Sequence, residues 1–164
     1  MSVITIVFQV FKEATRLFPS VPLHFREAFK ENDREHDYII PAGTNIVMSA
    51  YNAHSDPRHF PDPEKFDPER FSTQNSAGQY PYAYSPFGIG RRMCVDHVFA
   101  IMEAKTILST VLRRYRVTEI EGGIKGLQEN LKASFVVSPV KSIRLKLLRR
   151  SHPSHMCNIN EQGE

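Results

Sequence analysis

Apolar positions near the start of the chain recur at helical spacing, and the pattern predicts a helix from about Ile6 to Phe18. Pro19 ends it, because the ring disfavours helical geometry at Phe18, and Pro22 follows closely. Val21 to Arg26 read as extended. Tyr38–Ile40 and Asn45–Ala50 are rich in strand formers and predict a hairpin, with Pro41 at the first central turn position and Gly43 at the last. The stretch from His54 to Phe66 allows at most a short helical turn, and His54 and His59 read as structural or exposed. From Asp67 to Gly90 periodicity is lost. Pro68, Pro81 and Pro86 interrupt this segment, and Phe71, Tyr80, Tyr82, Tyr84 and Phe87 populate it. A loop of that length is uncommon in a compact domain unless its own side chains pack it down.

A second helix follows from about Val95 to Arg114. Val98, Ile101, Met102, Leu108, Val111 and Leu112 give it an apolar face, and Arg113 and Arg114 complement its dipole. The stretch from Leu131 to Leu148 predicts two strands around a turn at Ser138 to Ser142. Lys141, Arg144, Lys146, Arg149 and Arg150 alternate with apolar residues there, as on the solvated face of a last strand. From Ser151 a disordered tail is expected. The pattern is α+β, with one domain over 1–150 and a tail over 151–164.

Composition narrows the partners. The 164 residues are 41% hydrophobic and 24% charged, ordinary for a globular chain. A net charge of +3 is far from the clustered basicity of a nucleic-acid binder, so no nucleic-acid partner is expected. The two cysteines, Cys94 and Cys157, form neither a disulfide framework nor a CxxC zinc site. The opening "MSVITIVFQVF" is too short to span a bilayer and lacks the features of a signal peptide, so no anchor is expected. His152, His155 and Cys157 have a spacing that could hold a metal, but in a polar terminal tail no function is assigned to them.

Cys94 carries the chemistry. It lies at or just before the start of the second helix, where unpaired N–H groups and the dipole favour a thiolate. Gly88 and Gly90 allow a tight turn before it. A thiolate so placed could be a nucleophile or a metal ligand. His97 is near in sequence, but nothing aims it at the sulfur and no third group orients it. Arg92, two residues before the sulfur, cannot lose its charge and suits a carboxylate of a large ligand. Haem has two such carboxylates and accepts an axial cysteine thiolate.

At this point the sequence resembles a known family. Phe87-x-x-Gly90-x-Arg92-x-Cys94 is similar to the haem-ligand loop of the cytochrome P450 monooxygenases. Glu13-x-x-Arg16 and Pro68-Glu69-Arg70-Phe71 match two further motifs of that family, in the family's order. "RLFPSVPLHFRE", "DPEKFDPERF" and "MEAKTILSTVLRRY" most resemble the animal microsomal fatty-acid hydroxylase branch, common in insects. The resemblance implies the C-terminal, proximal haem wall of a mainly helical fold. Its expected parts are an E-x-x-R helix, small antiparallel strands, a long proline- and aromatic-rich meander, the cysteine loop, a long helix and a terminal hairpin. It implies Cys94 as the axial ligand to haem iron, with Phe87, Gly90, Arg92 and Arg26 around the haem. It further implies Glu13, Arg16 and Arg70 as a structural triad, and Ser20, Val21, Leu23 and Pro139 as lining a substrate pocket.

The activity implied is insertion of one oxygen atom from O2 into a lipophilic substrate, such as a fatty acid, hormone or xenobiotic. Electrons would come from NADPH through a cytochrome P450 reductase, docked by basic residues such as Arg91, Arg113 and Arg114. The full-length relative would sit on the cytoplasmic face of the endoplasmic reticulum membrane. Two departures stand out. Asp96 replaces the family's glycine, bringing a negative charge near the sulfur and offering a helix cap. The chain is also much shorter than family members, so it reads as a fragment, inactive alone. The alternatives are a non-catalytic haem- or partner-binding module, and a cysteine- or metal-dependent protein in which the motif is accidental.

Overall fold

A computed structural model describes residues 3–33, 38–133 and 135–150. The proposed tail from Ser151 lies outside the described residues. The chain opens with helix α1, Val3–Leu17. It starts earlier than Ile6 and stops where expected: the Phe18 N–H closes on the Ala14 carbonyl at 2.8 Å, and the buried Pro19 has no N–H to continue the ladder. Gln9, Glu13 and Arg16 recur on one face at helical spacing and are all buried, so α1 turns a polar stripe inward, while the buried Val7 lies on the other side of the helix.

The predicted hairpin is re-paired. Strand β1, Leu23–Glu27, runs antiparallel to β4, Asn45–Ser49, with Phe25 opposite Val47. The short strand β2, Asn32–Asp33, pairs instead with β3, Ile39–Ile40. The Pro41 turn forms one position away from the expected one. The Thr44 N–H reaches the Pro41 carbonyl at 3.3 Å, and Gly43 sits at φ 79°, the third turn position, where a Cβ would be strained. Ala50 is not the end of β4 but the first residue of α2, Ala50–His54, capped by the Ser49 side chain on the Asn52 N–H.

The long meander has one 3-10 turn, Pro68–Phe71, capped by Asp67, and is held by its aromatics as expected. Phe60, Phe71 and Ala83 form a buried cluster with Tyr84 against it; Phe71 and Tyr84 lie 4.8 Å apart between ring centres. A 3-10 turn at Gly90–Arg92 precedes helix α3, His97–Arg114. Ile101, Ala104 and Leu108 form its half-buried stripe. Lys105 reaches back over the Phe8 ring of α1 at 3.7 Å. The predicted single apolar face is therefore split, since Val98 (56% exposed) and Met102 (62%) stand open.

The end of the chain is rearranged relative to the sequence pattern. Strand β5, Tyr115–Ile120, follows α3 directly, and helix α4 spans Gly123–Glu129. The terminal hairpin is β6, Leu131–Ala133, with β7, Val137–Pro139, so Pro139 ends a strand and does not sit in the turn. The last strand, β8, Leu145–Arg149, pairs with β5 across the intervening elements. Its charges are solvated as expected: Lys146 lies 3.5 Å from Glu119, and Arg144 lies 3.8 Å from Glu121, all well exposed. Such pairs contribute little. No described helix is long and apolar enough to cross a membrane.

Candidate functional site

Two clusters organise the chemistry-bearing residues. In the first, Glu13 and Arg16 are adjacent on one face of α1 and both completely buried. The guanidinium meets the carboxylate with both ends, Nε to Oε2 at 2.8 Å and Nη2 to Oε1 at 2.9 Å. Its other N–H groups bond to backbone carbonyls, Nη1 to His54 at 2.8 Å and Nη2 to Pro63 at 2.6 Å. Glu13 Oε1 also accepts the Asp67 N–H at 2.9 Å. Arg70 approaches the same oxygen at 3.5 Å through Nε, outside hydrogen-bonding geometry, while its Nη2 donates to the Asp62 carbonyl at 2.8 Å. The three residues are thus brought together, with Arg16 the strong partner and Arg70 the weaker one. One carboxylate ties α1 to the start of the meander, and one guanidinium ties it to α2.

The second cluster is the cysteine loop. Gly88 and Gly90 have φ of 76° and 71°, values that side-chain-bearing residues rarely adopt. The two left-handed residues fold the chain back, so that the Cys94 N–H donates to the Phe87 carbonyl at 2.9 Å. Cys94 is exposed. It lies three residues before α3, and its carbonyl accepts the His97 N–H at 3.4 Å and faces His97 Nδ1 at 2.9 Å. His97 is thereby oriented on the backbone, and no hydrogen bond joins it to the sulfur. That arrangement does not make a cysteine–histidine nucleophile. Asp96 occupies the N-cap position, but its side chain makes no capping hydrogen bond, contrary to expectation. Phe87 is half-buried and lines a cavity of about 150 Å³ with Phe8, Phe11, Met93 and Ile101, between α1 and α3.

Strand β1 flanks this loop. His24 and Arg26 are two apart and share one strand face. The Gly88 backbone comes so close to the His24 imidazole that a Cβ there would sit 3.8 Å from it, and the buried His24 Nε2 has no partner among the described residues. The Arg26 Nη1 donates only to the Phe25 carbonyl, at 2.8 Å. Among the described residues no carboxylate pairs with Arg26 or Arg92. An exposed thiol, two guanidiniums without counter-ions and an orphaned imidazole nitrogen form a donor set that fits an iron ligand bearing carboxylates. Among the residues read as substrate-lining, one backbone bond links the Ser20 segment to the Pro139 strand. The Val137 N–H donates to the Ser20 carbonyl at 2.8 Å, which sets Ser20 beside the strand that ends at Pro139. Phe25 stacks on Phe135 at 6.0 Å on the same side of the chain. A larger cleft, of about 660 Å³, lies between Glu121, Asn130 and Lys141 and contains none of these residues.

His54 is the residue whose part the sequence pattern did not reveal. It is completely buried and accepts the Ser85 N–H at Nε2, 2.8 Å away. Burial, the largest effect, together with the nearby Arg16 and His24 charges, brings its pKa down to about 4 despite its backbone link to Arg16. Tyr84, 5.3 Å from it ring to ring, shares a 2.7 Å hydrogen bond with Thr15 of α1 and is pushed up to about 12, chiefly by burial. Among the described residues no group of three or more His, Cys, Asp or Glu side chains is placed to hold a metal ion. The His152, His155 and Cys157 motif lies outside them.

Comparison with known proteins accords with this geometry. A family model described as cytochrome P450 matches residues 1–147. Cytochrome P450 4V2 of Rattus norvegicus is 45% identical over 141 residues, which are 86% of this chain and 26% of that protein. Probable cytochrome P450 4aa1 of Drosophila melanogaster is 42% identical over 144 residues, 87% of this chain and 27% of that protein. The chain therefore spans about a quarter of the length of the curated relatives it matches. Among solved structures, the haem domain of cytochrome P450DA aligns with a TM-score of 0.74 at 24% identity, over 88% of this chain and 31% of that one. The likeness shows a shared fold, in which the helix, small sheets, meander and cysteine loop described above form the C-terminal part. With its three sequence motifs folded onto one scaffold and a family model matched along nearly all of its length, this chain belongs to the cytochrome P450 family.

Proposed function

We propose that the chain forms the thiolate-bearing wall of a haem monooxygenase that acts on a lipophilic substrate. The observation carrying this reading is the exposed Cys94, presented by a loop closed on the Phe87 carbonyl, with Arg92 on that loop and Arg26 on the strand that packs against it, neither paired with a carboxylate among the described residues. Bound haem would supply a redox-active iron for oxygen insertion, and a cysteine thiolate from this chain would push electron density towards it. Cys94 would ligate the iron. Arg92 and Arg26 would each hold a carboxylate of the haem by charge-assisted hydrogen bonds. Phe87 would keep water from the sulfur side, and Gly90, with nothing within 4 Å of a would-be Cβ, leaves room for a flat group to approach the backbone.

Ser20, Val21, Leu23 and Pro139 would line the substrate side, and the basic Arg91, Arg113 and Arg114 would suit an acidic electron-donating reductase supplied by NADPH. The naming of relatives in the 4 series supports the fatty-acid hydroxylase branch, with the endoplasmic reticulum membrane as the place of action. The 164-residue chain alone is expected to bind haem without hydroxylating a fatty acid. Val98, Phe99 and Met102 of α3 remain open to solvent, and a dry, preorganised pocket is what controls such chemistry.

The test is a haem titration of the chain, followed by reduction and exposure to carbon monoxide. The absorption spectrum characteristic of thiolate ligation is expected. A spectrum characteristic of imidazole ligation, or no saturable binding, would refute the reading. A smaller effect is expected at Asp96. Asp96→Gly removes an exposed like charge two residues from the sulfur and should tighten haem binding about two- to fivefold at low salt, an advantage that fades at high salt. Equal or weaker binding by the glycine variant at low salt would show that the charge does not act on the site.

A further inference from the structure

We propose that His54 is a positioning residue of the Cys94 loop: its Nε2 accepts the Ser85 N–H and so fixes the base of the turn that presents the cysteine, linking that turn to the buried Arg16. The inference concerns how the loop is held and goes beyond what the loop binds.

The links are continuous. Arg16 Nη1 donates to the His54 carbonyl at 2.8 Å, and the Ser85 N–H donates to His54 Nε2 at 2.8 Å. The Ser85 carbonyl accepts the Gly88 N–H at 3.1 Å, and the Phe87 carbonyl accepts the Cys94 N–H at 2.9 Å. His54 thus holds one end of the Ser85 residue while the other end closes the turn at Gly88. A backbone N–H can only donate, so Nε2 must present its lone pair, and the proton of the neutral ring is on Nδ1. Nδ1 is buried with no partner in hydrogen-bonding geometry among the described residues, so the ring is held by the Ser85 bond and by a tilted contact with the Tyr84 ring. A protonated ring would present two donors, leaving the Ser85 N–H opposed and unpaired.

The groups facing the ring are the Arg16 guanidinium from α1, the His24 imidazole from β1 and the Tyr84 phenol from the meander. None is a carboxylate; the one influence that favours the imidazolium is the backbone link to Arg16, and burial outweighs it. Burial keeps the ring neutral well below its ordinary pKa. A state in which the loop has opened releases His54 to water, where it takes a proton more readily. Opening is therefore promoted as pH falls from 6.5 towards 4 and is unaffected by this group above that window.

The test is site-resolved amide hydrogen exchange on the haem-free 164-residue chain, with the β5–β8 amides as the internal reference. His54→Leu, which has no acceptor, should speed exchange at Ser85, Gly88 and Cys94 about ten- to a hundredfold relative to that reference. His54→Gln, whose Oε1 can accept the Ser85 N–H, should remain within about threefold of the unaltered chain. Between pH 6.5 and 4, protection of the three loop amides in the unaltered chain should fall by up to about tenfold per pH unit relative to β5–β8. The Gln variant should lack that extra slope. Uniform loss of protection across the chain in both variants, or Gln behaving as Leu, would overturn the proposal. If the Leu variant does not fold, the comparison of slopes between the unaltered chain and the Gln variant decides, and identical slopes would overturn it.

Discussion

Arg16→Ala should destabilise the fold by about 3–5 kcal/mol, a large fraction of the roughly 5–15 kcal/mol that holds a typical domain together. Arg16 and Glu13 are both completely buried, and the guanidinium meets the carboxylate with both ends while also satisfying the carbonyls of His54 and Pro63. Truncation leaves a buried carboxylate whose remaining partners are the Asp67 N–H and the loosely placed Arg70. It also takes the guanidinium away from the carbonyls of His54, Pro63 and Lys65 and from the Phe60 ring, over which it lies at 5.3 Å. Arg16→Lys should recover only part of the loss, because one ammonium cannot reproduce the planar fork. Urea unfolding followed by far-ultraviolet circular dichroism measures both variants. A loss below about 1 kcal/mol for Arg16→Ala would show that the pair is a surface-like contact. Full recovery by lysine would show that charge alone matters.

The second large effect is at Cys94. In the haem-loaded chain, Cys94→Ala should abolish the thiolate spectrum of the reduced, carbon monoxide-bound form, whereas Cys157→Ala should leave it unchanged. Cys94 is exposed on a loop whose glycines and Phe87 carbonyl set its direction; Arg92 lies on the same loop, and the strand that carries Arg26 packs against it at Gly88. Removing the sulfur leaves in place Arg26 and Arg92, the cations proposed to hold the haem carboxylates, so haem should still associate, more weakly, with a changed spectrum. Loss of the thiolate band in Cys157→Ala, or its survival in Cys94→Ala, would reassign the ligand. The exchange experiment on His54 and the thiol substitution are independent, since the first needs no haem and the second leaves the Ser85 anchor in place.

The site and the frame around it were legible in the sequence to different degrees. Pro19 ends α1 because a ring without an N–H cannot continue the hydrogen-bond ladder of a helix that reaches it. Gly88 and Gly90 mark the cysteine turn because few other residues adopt positive φ. The Glu13–Arg16 pair is a matter of helical spacing, and the aromatic meander declares its own packing through Phe71 and Tyr84. These are local properties, written in a few neighbouring residues. Tertiary structure alone decided which strands pair. Asn45–Ser49 crosses to Leu23–Glu27 and not to Ile39–Ile40, and Leu145–Arg149 reaches back to Tyr115–Ile120, because any extended edge satisfies another and only the whole packing selects one. It also decided that a polar stripe of α1 faces inward, and that His54, an unremarkable residue in a proline-rich stretch, is buried and neutral beneath the cysteine loop. The bond that gives it that place joins residues 31 positions apart, a distance over which no periodicity or spacing in the sequence carries information.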